Sequence, residues 1–119
     1  MRTQLPAQFG SEQCMVINLD NDMGEGTHWV GAYHMGDKIL YFDSFGMPPP
    51  EELRKYKKKI QHQTMQVQEI NSVRCGWYVI YFLNEISKGE SYYDLIYFYD
   101  ILNQNKNENQ LKEYFIKLL

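Results

Sequence analysis

Cys75 is the residue with the most chemistry to offer. It stands in Asn71-Ser72-Val73-Arg74-Cys75-Gly76, directly before the apolar run Trp77-Tyr78-Val79-Ile80-Tyr81-Phe82-Leu83. With Ser72 as N-cap, the cysteine falls at N3 of the strongest helix in the chain. Free backbone N–H groups and the positive end of the helix dipole stabilise a thiolate there. The thiolate is the form that attacks a carbonyl carbon. Gly76 leaves the sulfur uncrowded from the next position. A lone cysteine is more often a small core hydrophobe, so the reading turns on whether a base stands near it.

Three histidines are available: His28, His34 and His62. Gly36-Asp37 lies between two strand-like runs and suits a two-residue hairpin turn. Met35 then opposes Lys38, and His28 opposes Phe45. Asp43, two residues from Phe45, becomes a diagonal neighbour of His28 on the same sheet face. A carboxylate there accepts the imidazole N–H, fixes its tautomer and leaves the other nitrogen for a thiol. A three-residue turn would instead place the two on opposite faces, leaving a loop-edge histidine and a turn-capping aspartate. His34, beside the turn, and His62, opening a polar strand, are expected at the surface. Acyl transfer also needs an oxyanion hole, commonly a backbone N–H and a side-chain amide. Gln61, Gln63, Gln66 and Gln68 all precede Cys75, and position does not select among them.

The elements that must hold these residues follow from pattern. Residues 15–19 read as a strand ending in a turn-rich loop over 20–26, and residues 28–35 and 38–44 as a hairpin. Pro48, Pro49 and Pro50 precede a polar surface helix over 51–60. Residues 63–68 alternate polar and apolar as a half-buried strand does. The Cys75 helix runs to a C′ glycine, Gly89, and is apolar on every side, which places it in the middle of the fold. Ser91 opens an aromatic-rich helix to about Leu102, with Asp94 at the capping-box position. A polar loop over 103–109 leads to a terminal helix marked by Leu111, Tyr114, Phe115 and Leu118. The class is α+β, in one domain over 1–119.

Composition agrees with that. The 119 residues carry 12 Lys+Arg against 15 Asp+Glu, a net charge of −3, and are 44% hydrophobic. That is enough for one core and excludes a disordered chain. No apolar run reaches the roughly 18–20 residues that cross a bilayer, and MRTQLPAQFG has no h-region, so a secretory signal and a membrane partner are not expected. Cys14 and Cys75 are read as separate reduced thiols in an intracellular compartment, with Cys14 buried and structural. No metal or cofactor is expected, since Cys and His do not fall at zinc-ligand spacings. Mild acidity argues against nucleic-acid binding by overall charge. The local exception is residues 54–59, with five cations in six positions, either a solvated face or a nucleic-acid contact.

Gly26-Thr27-His28-Trp29, Tyr41-Phe42-Asp43-Ser44-Phe45-Gly46 and the segment from Gln68 to Cys75-Gly76 together resemble the adenovirus-protease and SUMO-protease clan of cysteine peptidases. The chain order His, acid, Gln, Cys is that clan's order. The resemblance covers about residues 14–89, with residues 90–119 as C-terminal helices. It implies an adenain-like fold: a mixed central sheet against a buried helix with the cysteine at its N-terminus, and further helices outside. It also implies a Cys-His-Asp triad, with Cys75 as nucleophile, His28 as base and Asp43 as its orienting acid. Gln68 is thereby selected, with the Cys75 N–H, as oxyanion donor. Trp29, Gly26 and Gly76 would border the substrate.

Asn-Ser-x-x-Cys-Gly before a long apolar helix is similar to adenovirus-type proteases, including those of virophages and Maverick-like elements. Asp43, where adenovirus enzymes usually have Glu, is closer to the SUMO-protease branch. The implied function is a cysteine endopeptidase that processes viral capsid or precursor polyproteins at Gly-containing sites. Its setting would be the host cytoplasm, a viral factory or the virion. Adenovirus enzymes also use a disulfide-linked activating peptide and DNA, although Cys14 does not match the activator-linked cysteine. They have more chain before the histidine and after the cysteine helix. The alternatives are a protease that removes ubiquitin or SUMO-like proteins, a related acetyltransferase, and a non-catalytic peptide-binding or assembly domain.

Overall fold

The computed structural model describes residues 4–19, 28–69 and 72–118. Three strands form an antiparallel meander: β1 (Cys14–Asn18), β2 (Trp29–Met35) and β3 (Lys38–Phe42). A short strand β4 (Lys59–Gln61) adds parallel to β3, so the sheet is mixed in the order β1–β2–β3–β4. Met35 pairs with Lys38 and Gly31 with Phe42, the register that a two-residue Gly36-Asp37 turn dictates.

Strand alternation then separates two cores. Tyr33, Leu40 and Phe42 pack with helix α1 (Cys75–Ser87), while Val30, Ala32, Ile39 and Tyr41 serve the opposite face. Gly31 lies under α1, where an added Cβ would meet Val79 at 3.3 Å and Leu83 at 3.4 Å. Its missing side chain is what lets helix and sheet approach. Helices α2 (Tyr92–Tyr97) and α3 (Gln104–Leu118) complete the α1 side. There Phe42 stacks on Phe82 with centroids 5.2 Å apart. Burying each such side chain contributes about 1.5–3 kcal/mol. Phe9 and Leu53 cover the other face. The result is α+β, with the sheet between helices and a thinner covering layer.

Several local expectations are corrected. The helix over 51–60 is a 3₁₀ helix, Glu51–Tyr56, that stops where Lys57 adopts a left-handed conformation (φ 56°). It buries Leu53 alone, too little apolar surface to carry crowded lysines onward. Residues 63–68 form no strand; the N–H groups of Val67 and Gln68 both donate to Ser44 O instead. The loop over 103–109 is largely the first half of α3, because Asn103 Oδ1 accepts the Lys106 N–H at 3.2 Å as an N-cap. Asn107 is buried and donates to Val67 O at 2.9 Å.

The helix after Ser91 ends at Tyr97, and Ser91 makes no side-chain cap. Asp100 turns the chain there, accepting the Leu102 N–H at 2.9 Å. His34 is buried, not at the surface, and pairs through Nδ1 with Phe9 O at 2.9 Å. Cys14 is exposed rather than buried, at the start of an edge strand whose first residues lie outside the core. Helix α1 is not buried all round: Ile80 is exposed. It does end as read, in a Schellman motif, with Gly89 N–H on Ile86 O, Glu90 N–H on Glu85 O and Gly89 at φ 99°.

Candidate active site

Cys75 is the first residue of α1, at N1 rather than N3. Ser72 does not cap the helix. Its hydroxyl donates to Glu108 on α3 and accepts the Arg74 N–H at 3.2 Å. The displacement brings Cys75 nearer the helix end, where unpaired N–H groups and the dipole act most strongly on a thiolate. The cysteine is buried, and the Trp29 N–H points at its sulfur from 3.4 Å.

His28 leads into β2, anchored where its carbonyl accepts the Leu19 N–H at 2.9 Å. Its Nε2 bonds Asp43 Oδ1 at 2.7 Å. An ionised carboxylate only accepts, so Nε2 carries the proton. Nδ1 is buried without a formed hydrogen bond, and it is the nitrogen left for the sulfur. The Phe45 ring stacks on the imidazole, with centroids 4.5 Å apart and planes 23° apart. His28 is thus gripped at its edge by Asp43 and on a face by Phe45.

Asp43 itself is 0% exposed. Its Oδ1 also accepts the Phe45 N–H at 2.8 Å, and its backbone carbonyl accepts Gln63 Nε2 at 2.5 Å and the Gly46 N–H at 2.8 Å. Gly46 has φ 73°, and a Cβ there would stand 2.7–2.8 Å from backbone atoms of Thr64 and Met65. Gly46→Ala is therefore expected to cost about 2–4 kcal/mol and lower the melting temperature by roughly 10 °C. Thermal denaturation checks this; an unchanged midpoint would show that the turn yields.

The electrostatics couple His28 and Cys75. Burial alone would lower the His28 pKa, but its hydrogen bond to Asp43, the nearby Cys75 thiol and the charges of both raise it from 6.5 to about 9. Burial alone would raise the Cys75 pKa, but the nearby His28 ring, the Trp29 N–H, the imidazolium charge and the Gly76 N–H hold it below the ordinary thiol value. The arrangement favours a thiolate–imidazolium pair, able to attack an electrophilic carbon and deliver a proton.

Gln68 is 0% exposed. Its amide nitrogen donates to Ser72 O at 3.0 Å, and its amide oxygen accepts from the Ser44 hydroxyl. Trp29, whose backbone N–H points at the sulfur, is exposed, and an added Cβ at Gly76 would meet nothing within 4 Å. Gly26 lies outside the described residues. Sequence reasoning left out Ser44, Phe45 and Gln63 as site residues. The hairpin register placed Phe45 opposite His28, a signal for its stacking; no signal distinguished Gln63. In the basic run, Arg54 lies 4.0 Å from Glu51, and Lys55 donates to Leu5 O at 2.6 Å. Among the described residues, no three His, Cys, Asp or Glu side chains cluster to hold a metal ion, and no helix is long and apolar enough to cross a membrane.

No protein-family profile matches the chain, and no curated protein does. Among solved structures, that of the ASFV pS273R protease is similar, with a TM-score of 0.53 and 24% sequence identity over 70% of this chain. The match spans 37% of the protease chain, little more than a third of its length. At that identity the likeness bears on architecture: this chain shares the fold of a region of that protease, with its mixed sheet packed against α1.

Proposed function

We propose that this protein is a cysteine endopeptidase of the adenovirus-protease and SUMO-protease clan. The observation that carries the reading is the Asp43–His28 hydrogen bond at 2.7 Å beside a cysteine at the first position of α1. The protease identity of the structural neighbour supports it. The Cys75 thiolate attacks the scissile carbonyl carbon, and the resulting oxyanion is held by the Cys75 N–H and the free amide N–H of Gln68. The carbon–nitrogen bond then breaks as the His28 imidazolium protonates the leaving amine, giving a thioester. Neutral His28 next removes a proton from water, whose oxygen attacks the thioester. Collapse releases the carboxylic acid and restores the thiolate–imidazolium pair.

The substrate is a protein, cut at Gly-containing sites of viral precursor polyproteins, in the host cytoplasm, a viral factory or the virion. Trp29, exposed next to Cys75, supports a narrow wall past which glycine fits best. The aspartate in the acid position favours a second reading, removal of a ubiquitin-like protein. Rates on a Gly-rich capsid-type peptide and on a ubiquitin-like C-terminal fusion separate the two. A peptidyl vinyl sulfone is expected to label Cys75 and spare Cys14, with labelling lost in His28→Ala. Equal labelling of both cysteines, or labelling that survives His28→Ala, would overturn the proposal.

A further inference from the structure

We infer that Ser44 is the positioning residue that aims the oxyanion donor Gln68, an inference that rests on the cysteine-peptidase reading above. Ser44 follows Asp43 directly and is buried. Its carbonyl accepts the N–H groups of Val67 at 2.9 Å and Gln68 at 3.1 Å. Its hydroxyl donates to Gln68 Oε1. One residue therefore holds Gln68 by backbone and by side chain.

The direction of the side-chain bond is forced. Gln68 Nε2 stands 3.0 Å from Ser72 O, and a carbonyl oxygen only accepts, so the amide nitrogen must face it. The amide oxygen must then face Ser44, and the serine hydroxyl must be the donor. Gln68 is fully buried, so neither bond is exchanged for one to water. Of the two amide N–H bonds, one is spent on Ser72 O and the other is left for the reaction.

The terminal torsion of a glutamine is broad and nearly two-fold, so packing alone selects its amide face weakly. Without the Ser44 hydroxyl, Oε1 is a buried acceptor lacking its donor, and the amide is held by Ser72 O alone, free to swing its second N–H out of line with the developing negative charge. An oxyanion that loses this aligned N–H loses the stabilisation it supplies. Asp43 and Ser44, adjacent at the end of β3, thus set both halves of the site: Asp43 orients the imidazole and Ser44 the amide.

The test uses the full chain, a Gly-rich peptide substrate and iodoacetamide, which alkylates a thiolate without generating an oxyanion. Ser44→Ala is expected to lower kcat by about 10- to 100-fold with KM within about twofold, while the rate of Cys75 alkylation stays at the wild-type value. Ser44→Thr, which keeps the hydroxyl, restores kcat. In a Gln68→Ala background, Ser44→Ala has no further effect. If Ser44→Ala does not fold, Ser44→Cys, a weaker donor of similar shape, carries the same comparison. Wild-type kcat in Ser44→Ala, or additive losses in the double variant, overturns the inference and leaves the peptidase reading standing. A wild-type chain that hydrolyses nothing and alkylates at the rate of a free thiol overturns both.

Discussion

Cys75→Ala is expected to reduce hydrolysis of a Gly-rich peptide by at least about 10⁴-fold. Removal of a nucleophile leaves an enzyme only binding and oxyanion stabilisation. The sulfur is buried at the first position of α1 with the Trp29 N–H directed at it, so no other atom of the site occupies its place. The substitution removes one small group and keeps the helix start. A melting temperature within a few degrees of wild type is therefore expected with the loss of activity. Turnover within about 100-fold of wild type by the alanine variant, in a preparation free of wild type, would sink the assignment of Cys75.

Asp43→Asn is expected to lower kcat/KM by about 10²- to 10³-fold, because the imidazolium loses the negative charge that supports it. The replacement keeps an oxygen in the place of Oδ1, which accepts both the Phe45 N–H and the His28 Nε2–H. The tautomer is kept, but a neutral amide supports the imidazolium far less than a carboxylate does, and the thiolate–imidazolium pair gives way to neutral thiol and imidazole. The pH profile gives a second readout. In the wild type the active pair exists between ionisation of Cys75, whose pKa is lowered, and loss of the His28 proton at about 9. Rate rises with pH through the first and falls through the second. Removing the Asp43 charge shifts the alkaline limb down from about 9 toward 6.5, and a weaker imidazolium moves the acid limb up. The bell narrows from both sides. An alkaline limb that stays at about 9 in this variant would show that Asp43 does not govern the histidine.

The site's core was legible because its spacing rules are local. A two-residue turn sets a hairpin register, and that register brings His28 and Asp43 to one end of the β2–β3 pair. A cysteine before a long apolar run falls near a helix start under any reasonable choice of cap. Cap choice itself was not legible. Ser72 precedes the helix in the usual way, but Glu108, 36 residues on, draws its hydroxyl away and moves the helix start to Cys75. His34 illustrates the same limit. Beside an exposed turn it reads as a surface residue, yet Phe9 O comes from a segment that covers the sheet's second face.

The amino-acid sequence by itself marked the first three strands, the hairpin and the central helix with its glycine stop, and its resemblance to a protease clan marked the set His28, Asp43, Gln68, Cys75. The elements follow from turn chemistry and hydrophobic periodicity, which act over a few residues. Only the tertiary structure decided that the Gln68 segment is held by Ser44 instead of a strand ladder, that α3 begins in a polar stretch, and that Phe45 lies on the imidazole. Each depends on a partner distant in the chain or across the fold, whose hydrogen bond or packing surface exists only once the core has assembled.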